Sequence, residues 1–514
     1  MGISSTAARR RNKLLALAIA AAPFFSCSTA SASTYYWKDS VTAGTWSSVN
    51  DWSATSSSGT DSAGAPNGGS VYIQNTTSDN YIVTLDESAS PSSLQMGDTG
   101  GGTDTLSQTS AFNLSMTTEQ LGMSSGSIGV HIQSAGTNAF STELYVGSGT
   151  GSFGTYNLSG TGTILVAGFV PVSVGHFGNG AFNQSGGTLQ LNEIGSMGLN
   201  VAEEPQSTGS YQLSDTGIIN DAAVENIGVY GVGTFSQTGG SNSCANLVIG
   251  LVGRGTYNQS AGTCSVAQDL SIAGQNGANG SYILTGTGSL TVNGTAYVGP
   301  GGSGALSLSG GTISATHGLT VYSGSYLTQS GGTISAGSIA INSGGTLNLS
   351  GGTMNAPVTV AGTLATTESQ NSIAIGSSLT LQSSAETLAR RVGSAASFGT
   401  VTSTGSMALA GVLAVYEDGA NEAETTAGQS FIILETTGSG VLSGAFSNIA
   451  SGQTLTTTDG TASFLVTINS GVDGDVVLSD FQMVPEPSSA CVIGFTVASL
   501  LLQRRPRRTN HGFT

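Results

Sequence analysis

One phrase recurs along the middle of the chain. An aromatic residue or Leu is followed by a polar residue, then Gln or Leu, then Ser or Thr and small turn residues. Tyr156 to Gly162 (YNLSGTG) and Phe182 to Thr188 (FNQSGGT) are typical. Further copies start at Tyr211, Phe235, Tyr257, Tyr282, Leu306, Leu327 and Leu347, with weaker copies at Phe112 and His131. These eleven copies are spaced 19 to 29 residues apart. A second phrase, apolar-x-(Val/Ile)-Gly, lies between them, starting at Leu144, Val172, Leu191, Val224 and Leu247. A third short apolar pair often follows the turn, as in Thr188 to Leu191 and Gly288 to Val292. Each repeat therefore carries about three short strands separated by Gly, Asn and Ser turns.

Three strands per repeat of this length predict an all-β chain folded as a right-handed parallel β-helix, a solenoid with β-rich caps. Like residues then form columns about 4.8 Å apart, and residues 112, 131, 156, 182, 211, 235, 257, 282, 306, 327 and 347 should share one column. A β-propeller needs about 40–50 residues per blade, roughly twice this period. Composition agrees with the solenoid. The chain has 77 Gly and only 8% charged residues, too few charges for coiled coils or long solvated helices.

Charge excludes whole classes of partner. Between residues 33 and 480 the basic residues are Lys38, Arg254, Arg390 and Arg391, against 28 acids, so that body carries 4 − 28 = −24. Such a surface repels phosphate backbones, and no nucleic-acid binding is expected. Anionic membranes and polyanionic glycans are poor partners for the same reason.

The two ends read as addresses. Arg9 to Lys13 form a basic start, Leu14 to Phe25 an apolar stretch, and Ala30-Ser31-Ala32 a small-residue cleavage site, so cleavage is expected after Ala32. Phe24 and Phe25 before Cys27 are the wrong size for lipoprotein processing. At the other end, Val484-Pro485-Glu486-Pro487 precedes an apolar run, Ala490 to Leu502, expected to form a short helix. The basic cluster Arg504, Arg505, Arg507 and Arg508 follows. A breaker, a short membrane-seeking helix and a positive stop resemble the PEP-CTERM sorting signal of Gram-negative bacteria. The resemblance implies transient inner-membrane anchoring, recognition by an exosortase-type sorting enzyme, tail removal near Pro485–Pro487, and delivery to the cell surface or an extracellular polysaccharide matrix. The expected divisions are 1–32 signal peptide, 33–106 N-terminal β cap, 107–366 β-helix repeats, 367–481 C-terminal β segment and 482–514 sorting signal with a short membrane helix. The Trp37, Trp46 and Trp52 cluster with its following strands looks like the start of passenger-type β-helices of bacterial surface proteins. The alternating segment from Phe398 to Phe481 resembles the end segments of autotransporter-like passengers.

Chemistry is sparse. From Ser271 to Thr367 there is no Asp, Glu, Lys or Arg, and only His317 besides tyrosines can ionise. Glycoside hydrolysis needs paired carboxylates. Lyase chemistry needs a base, and Arg254 has no acidic pair nearby in sequence. The acids Glu193, Glu203, Glu204, Asp215, Asp221 and Glu225 are concentrated, but no fixed calcium-ligand spacing joins them, so a solvated loop is expected rather than a metal site. Gly149, Gly151 and Gly154 match a dinucleotide fingerprint by letters without a βαβ unit, so they read as turn glycines. His131, His176 and His317 lie whole coils apart, so no metal centre is expected. The three Trp read as cap mass before they read as a sugar platform. Cys244 and Cys264 should share a strand face two positions out of line, about 8 Å apart, which leaves two thiols unbridged.

The expectation is a non-catalytic, cofactor-free structural β-helix protein of the cell surface or matrix. The alternatives are a polysaccharide-acting lyase or hydrolase with its site near residues 190–255, or a glycan-binding module centred on the three Trp.

Overall fold

A computed structural model describes residues 33–484, apart from 75, 98–99, 168–170, 193–196, 368–372, 392–397, 418–424 and 427. Strands, and no helix, form the described residues. Each coil contributes three strands, as in Phe153–Leu158, Thr163–Val166 and Val172–Val174, followed by Asn179–Gln184, Thr188–Leu191 and Met197–Val201. First strands pair only with first strands and build a parallel sheet of sixteen. Second and third strands stack likewise on the other two faces. Each strand alternates inward and outward, so every second residue enters one continuous core.

The aromatic column is present. Tyr156, Phe182, Tyr211, Phe235, Tyr257, Tyr282, Leu306, Leu327 and Leu347 are successive partners in register. From Tyr156 to Tyr282 neighbouring rings lie 4.5 to 5.1 Å apart and within 12° of parallel. His131 occupies the position above Tyr156. Phe112 does not belong to it: Leu106 pairs with His131. Phe112 lies in the turn after that strand, where its carbonyl accepts from Gln108 Nε2 at 2.7 Å. Its sequence mimics the repeat because turns and strands here use the same small vocabulary. A second correction concerns Leu191, which lies on the second strand between Val166 and Asp221. The third-strand copy in that coil is Leu199 to Val201.

The turn after the third strand shows why Gly ends the second phrase. Gly147 has φ 77°, and a Cβ there would lie 2.4 Å from the Asn179 carbonyl oxygen. Gly154 on the adjoining first strand would bring its own Cβ within 2.1 Å of Gly147 N. Backbone approaches backbone at this corner, and only small residues fit. Gly175 holds the same left-handed turn one coil on at φ 78°, and Ala202 holds it two coils on at φ 58°, where the phrase lacks its Gly.

A second column runs two residues after the aromatics and holds either Gln or Leu. Tyr156 Oη donates to Gln133 Oε1 of the preceding coil at 2.7 Å. Tyr211, Tyr257 and Tyr282 do the same to Gln184, Gln237 and Gln259. Phe182 and Phe235 instead follow coils carrying Leu158 and Leu213. A phenol thus sits only where the coil before it offers an acceptor. Each Gln spends its amide on backbone carbonyls, Gln133 on Gly136 and Thr163, Gln184 on Gly187 and Ile218. Buried polar groups must be paired in this way or they destabilise the core.

Both ends are closed. Trp37, Trp46 and Trp52 are fully buried and meet edge to face, with centroids 4.9 and 5.3 Å apart. Each indole N–H donates to a backbone carbonyl: those of Val41, Pro66 and Trp46. The parallel pairing runs through residues 106 and 366 without interruption, to Val412–Glu417. At the far end, Phe431–Thr436 pairs antiparallel with Asp475–Met483, and Val441–Gly444 with Gly471–Val472. Asn448 closes the first-strand sheet by pairing its side-chain amide with the backbone N–H and C=O of Leu413. Unpaired edges that would template further chains are therefore blunted.

The Gln–Tyr rule generates a test. Phe182→Tyr alone should cost about 1–3 kcal/mol, because its hydroxyl would face Leu158 without an acceptor. Adding Leu158→Gln should recover most of that loss. Chemical denaturation of the three variants checks it. A double variant no more stable than the single one would break the rule.

Candidate functional site

The acids expected to lie in one solvated loop are divided between turns and the interior faces of strands. Glu203 faces outward, whereas Asp221 and Glu225 point into the core, 5% and 0% exposed. Asp215 sits in a turn at φ 48°. Glu193 lies outside the described residues. Among the described residues no group of three His, Cys, Asp or Glu side chains could hold a metal.

On the outward side, Glu203 joins three side chains across adjacent coils. Its Oε2 accepts from the Ser173 hydroxyl and lies 2.9 Å from His176 Nδ1, and its Oε1 accepts from Asn200 Nδ2 at 3.1 Å. Asn226 extends the chain by donating to Asn200 at 3.0 Å. These bonds and the His176 contact hold the Glu203 carboxyl below the ordinary carboxylate range despite its burial. Tyr145 stacks on His176 at 4.2 Å, and Phe177 meets it edge-on. The Ser–His–Glu composition suggests hydrolytic chemistry, but the geometry does not provide it. Ser173 donates to the carboxylate and not to the imidazole, so no base takes its proton.

Two polar slices inside the core were not legible as a site in the sequence. The inward column of the third strands reads Leu94, Glu119, Leu144, Val172 and Leu199, and Glu225 occupies the equivalent column lower down, opposite Leu247. Each Glu replaces an apolar residue, and at each the next coil places an Asn and the coil after it a Tyr in equivalent positions of the interior. In the first slice His131 Nδ1 lies 2.6 Å from Glu119 Oε1, and Asn138 Nδ2 donates to Tyr156 Oη at 2.7 Å. In the second, Asn242 Nδ2 donates to Glu225 Oε2 at 2.8 Å and to Tyr257 Oη at 3.3 Å. The difference is the coil between: it supplies His131 above and Phe235 below. Glu225 therefore has no basic partner. Burial, reinforced by the nearby Asp221 charge, pushes its carboxyl up to about 8. Burial raises Asp221 to about 6, even though it accepts backbone N–H bonds from Ala223 and Leu199.

The remaining expected residues fall as follows. Arg254 lines a shallow recess of about 260 Å³ with Thr256, Asn279, Ser281 and Ser303, and no carboxylate borders it. His317 is exposed in a turn, and Gly151 is a turn glycine at φ 70°. The three indoles, all at 0% exposure, offer no face to a sugar. Cys244 pairs in register with Val266 and Cys264 with Asn242, the two-residue offset expected, and both are buried free thiols. Desolvation by burial pushes Cys264 up to about 12 and Cys244 well above its ordinary value. Val484 is exposed, its N–H bonded to the Thr461 carbonyl. Ala30, Ala32, Pro485, Glu486, Pro487, Arg504 and Arg505 lie outside the described residues, as does the expected apolar helix. No described helix is long and apolar enough to cross a membrane. No protein-family model, curated protein or solved structure matches the chain at a significant level.

Two outcomes follow. Glu225 and Asp221 are neutral in the fold at a pH where the unfolded chain ionises them, so the native state holds more protons between about pH 4 and pH 8. Stability should be full at the bottom of that window and fall by a few kcal/mol on approaching pH 8. Carboxylates held low, such as Asp61, near 2, act below this range. Glu225→Gln should flatten the decline, as read from melting temperature against pH; an unchanged slope would remove Glu225 as its source. Separately, alkylation under denaturing, non-reducing conditions should label both Cys244 and Cys264, and a protein with neither thiol reactive would contradict the register.

Proposed function

We propose that this chain is an exported, non-catalytic structural β-helix protein of the cell surface or extracellular matrix. It acts through length, rigidity and a repetitive Ser/Thr/Asn exterior, as an adhesin or matrix component. The observation that carries this reading is the placement of the ionisable groups. The carboxylates Asp221 and Glu225 are sealed in the core, where no glycan reaches them. Glu203, the outward carboxylate of the same region, is saturated by Ser173, Asn200 and His176. A hydrolase needs two carboxyl groups that reach substrate.

The address segments supply the route. The basic start and the Ala30-Ser31-Ala32 site fit signal peptidase processing. The tail from Val484 through Arg508 resembles an exosortase substrate, held transiently in the inner membrane before release to a polysaccharide-rich exterior. A body charge of −24 favours neutral over anionic glycans as matrix neighbours.

In a Gram-negative host carrying an exosortase, the protein should appear at the surface with Ser33 as its first residue and without residues 490–514. Replacing Pro485, Glu486 and Pro487 by Ala should leave the tail attached and the chain in the inner membrane. A cytoplasmic chain starting at Met1 would overturn the export reading. Glycan turnover that Arg254→Ala or Glu203→Gln abolishes would overturn the non-catalytic one.

A further inference from the structure

Exposed aromatic rings are confined to one edge of the solenoid. Among the described residues the exposed aromatics are Phe153, Phe177, Tyr230 and Tyr326, each 46 to 53% accessible. All four lie where the turn after a third strand runs into a first strand. Phe153 and Tyr326 begin Phe153–Leu158 and Tyr326–Gln329. Phe177 and Tyr230 occupy the turns before Asn179–Gln184 and Val232–Gln237, each two residues ahead of the strand. Asn179, Thr208 and Val232 are successive partners in register, so these two rings hold one turn position two coils apart, about 10 Å along the axis. Phe153 pairs with Asn179 and sits one coil above.

The backbone fixes these rings. Their turns read Gly175-His176-Phe177-Gly178 and Gly228-Val229-Tyr230-Gly231. The His176 and Gly178 N–H groups bond to the Gly147 carbonyl one coil before, and those of Val229 and Gly231 to the Ala202 carbonyl. A Cβ on Gly178 or Gly231 would lie 2.3 or 2.4 Å from a backbone oxygen, so the ring between is what protrudes. His176 meets Phe177 edge-on at 4.3 Å and is itself held by Glu203 and Tyr145. The outward Glu203 network, which lacks hydrolytic geometry, thus orients a ring of this edge.

We propose that this edge binds an extended, uncharged polysaccharide lying along the solenoid axis. The proposal rests on the matrix reading above and gives it a site. Charge and spacing choose the occupant. A body charge of −24 turns away phosphate backbones and anionic glycans. The coil between Phe177 and Tyr230 puts Glu204, Pro205 and Gln206 in line with them. The rings therefore stand singly and lack the broad apolar centre of a protein–protein interface. A linear polymer meets them one at a time at the fixed coil rise. A sugar lays its C–H face on an aromatic ring while its hydroxyls turn to amides and carboxylates. Gln206, exposed, and Glu204, half-buried, supply those groups between the two rings. From Phe153 to Val232, itself 50% exposed, the edge spans three coil rises, about 14 Å, room for a short oligosaccharide.

Calorimetric titration of the full chain, in a sugar-free detergent, with cellohexaose and with mannohexaose tests this up to about 10 mM sugar. Saturable binding of at least one is expected. Phe177→Ala with Tyr230→Ala should weaken it at least about tenfold. Phe177→Tyr with Tyr230→Phe, which keeps both rings, should stay within about threefold. Ile132→Ala with Ile283→Ala removes exposed apolar side chains from the first-strand face and should change nothing. In native gels, neutral hydroxyethyl cellulose should retard the chain more than anionic carboxymethyl cellulose. Melting curves show that each variant is folded. Binding of neither sugar, or equal loss in both alanine pairs, overturns the site. So does stronger retardation by the anionic polymer. A concentration-dependent dimer dissolved by the Phe177 and Tyr230 alanine pair also overturns it, by making the edge a contact between copies. Failure here leaves the export reading standing, because the mature N-terminus and the chain's location decide that one.

Discussion

Parallel hydrogen bonding between coils is the constraint from which the rest follows. It places each residue about 4.8 Å from its counterpart one coil away, so a column either matches along its whole length or carries a local defect. Aromatic rings answer this by lying flat on one another from Tyr156 to Tyr282. Glycines answer it at the corner, where Gly147 and Gly154 let two backbones meet. The same rule permits polarity inside the core, provided that a donor in one coil faces an acceptor in the next. Tyr and Gln meet that condition in four places.

The two Glu in the third-strand column show where the condition fails. Glu119 and Glu225 occupy equivalent sites with equivalent Asn and Tyr neighbours, and one residue in the coil between decides the outcome. His131 provides Glu119 with a partner; Phe235 leaves Glu225 with an amide and a raised carboxyl. Replacing one paired group by an apolar residue is costlier than never burying either, since the remaining group keeps its desolvation penalty. The second slice therefore makes the core sensitive to pH while the solenoid geometry around it stays regular.

Closed ends bear on how such a rod behaves among other molecules. A solenoid with open ends would add coils from its neighbours. The Trp cluster at one end, and at the other the antiparallel strands with Asn448, prevent this. Association is then left to the sides.

Repetition made much of the fold legible in advance. The aromatic phrase, its spacing and the Gly turns specify a three-stranded coil, because a column residue must recur once per coil whatever the loops do. The offset of Cys244 and Cys264 could be read for the same reason, by counting from Phe235 and Tyr257. Phe112 and Leu191 were misplaced because short Gly- and Ser-rich phrases also occur in turns, and only pairing distinguishes Leu106 and Leu199 as the true members. The acids near 193–225 form one cluster along the chain, yet Glu203 falls in the turn after Met197–Val201 and faces outward, whereas strand alternation sends Glu225 in. The meeting of Glu225 with Asn242 and Tyr257 was beyond the sequence altogether. Those residues sit on three different faces in three successive coils, and only closing the solenoid brings three faces to one interior.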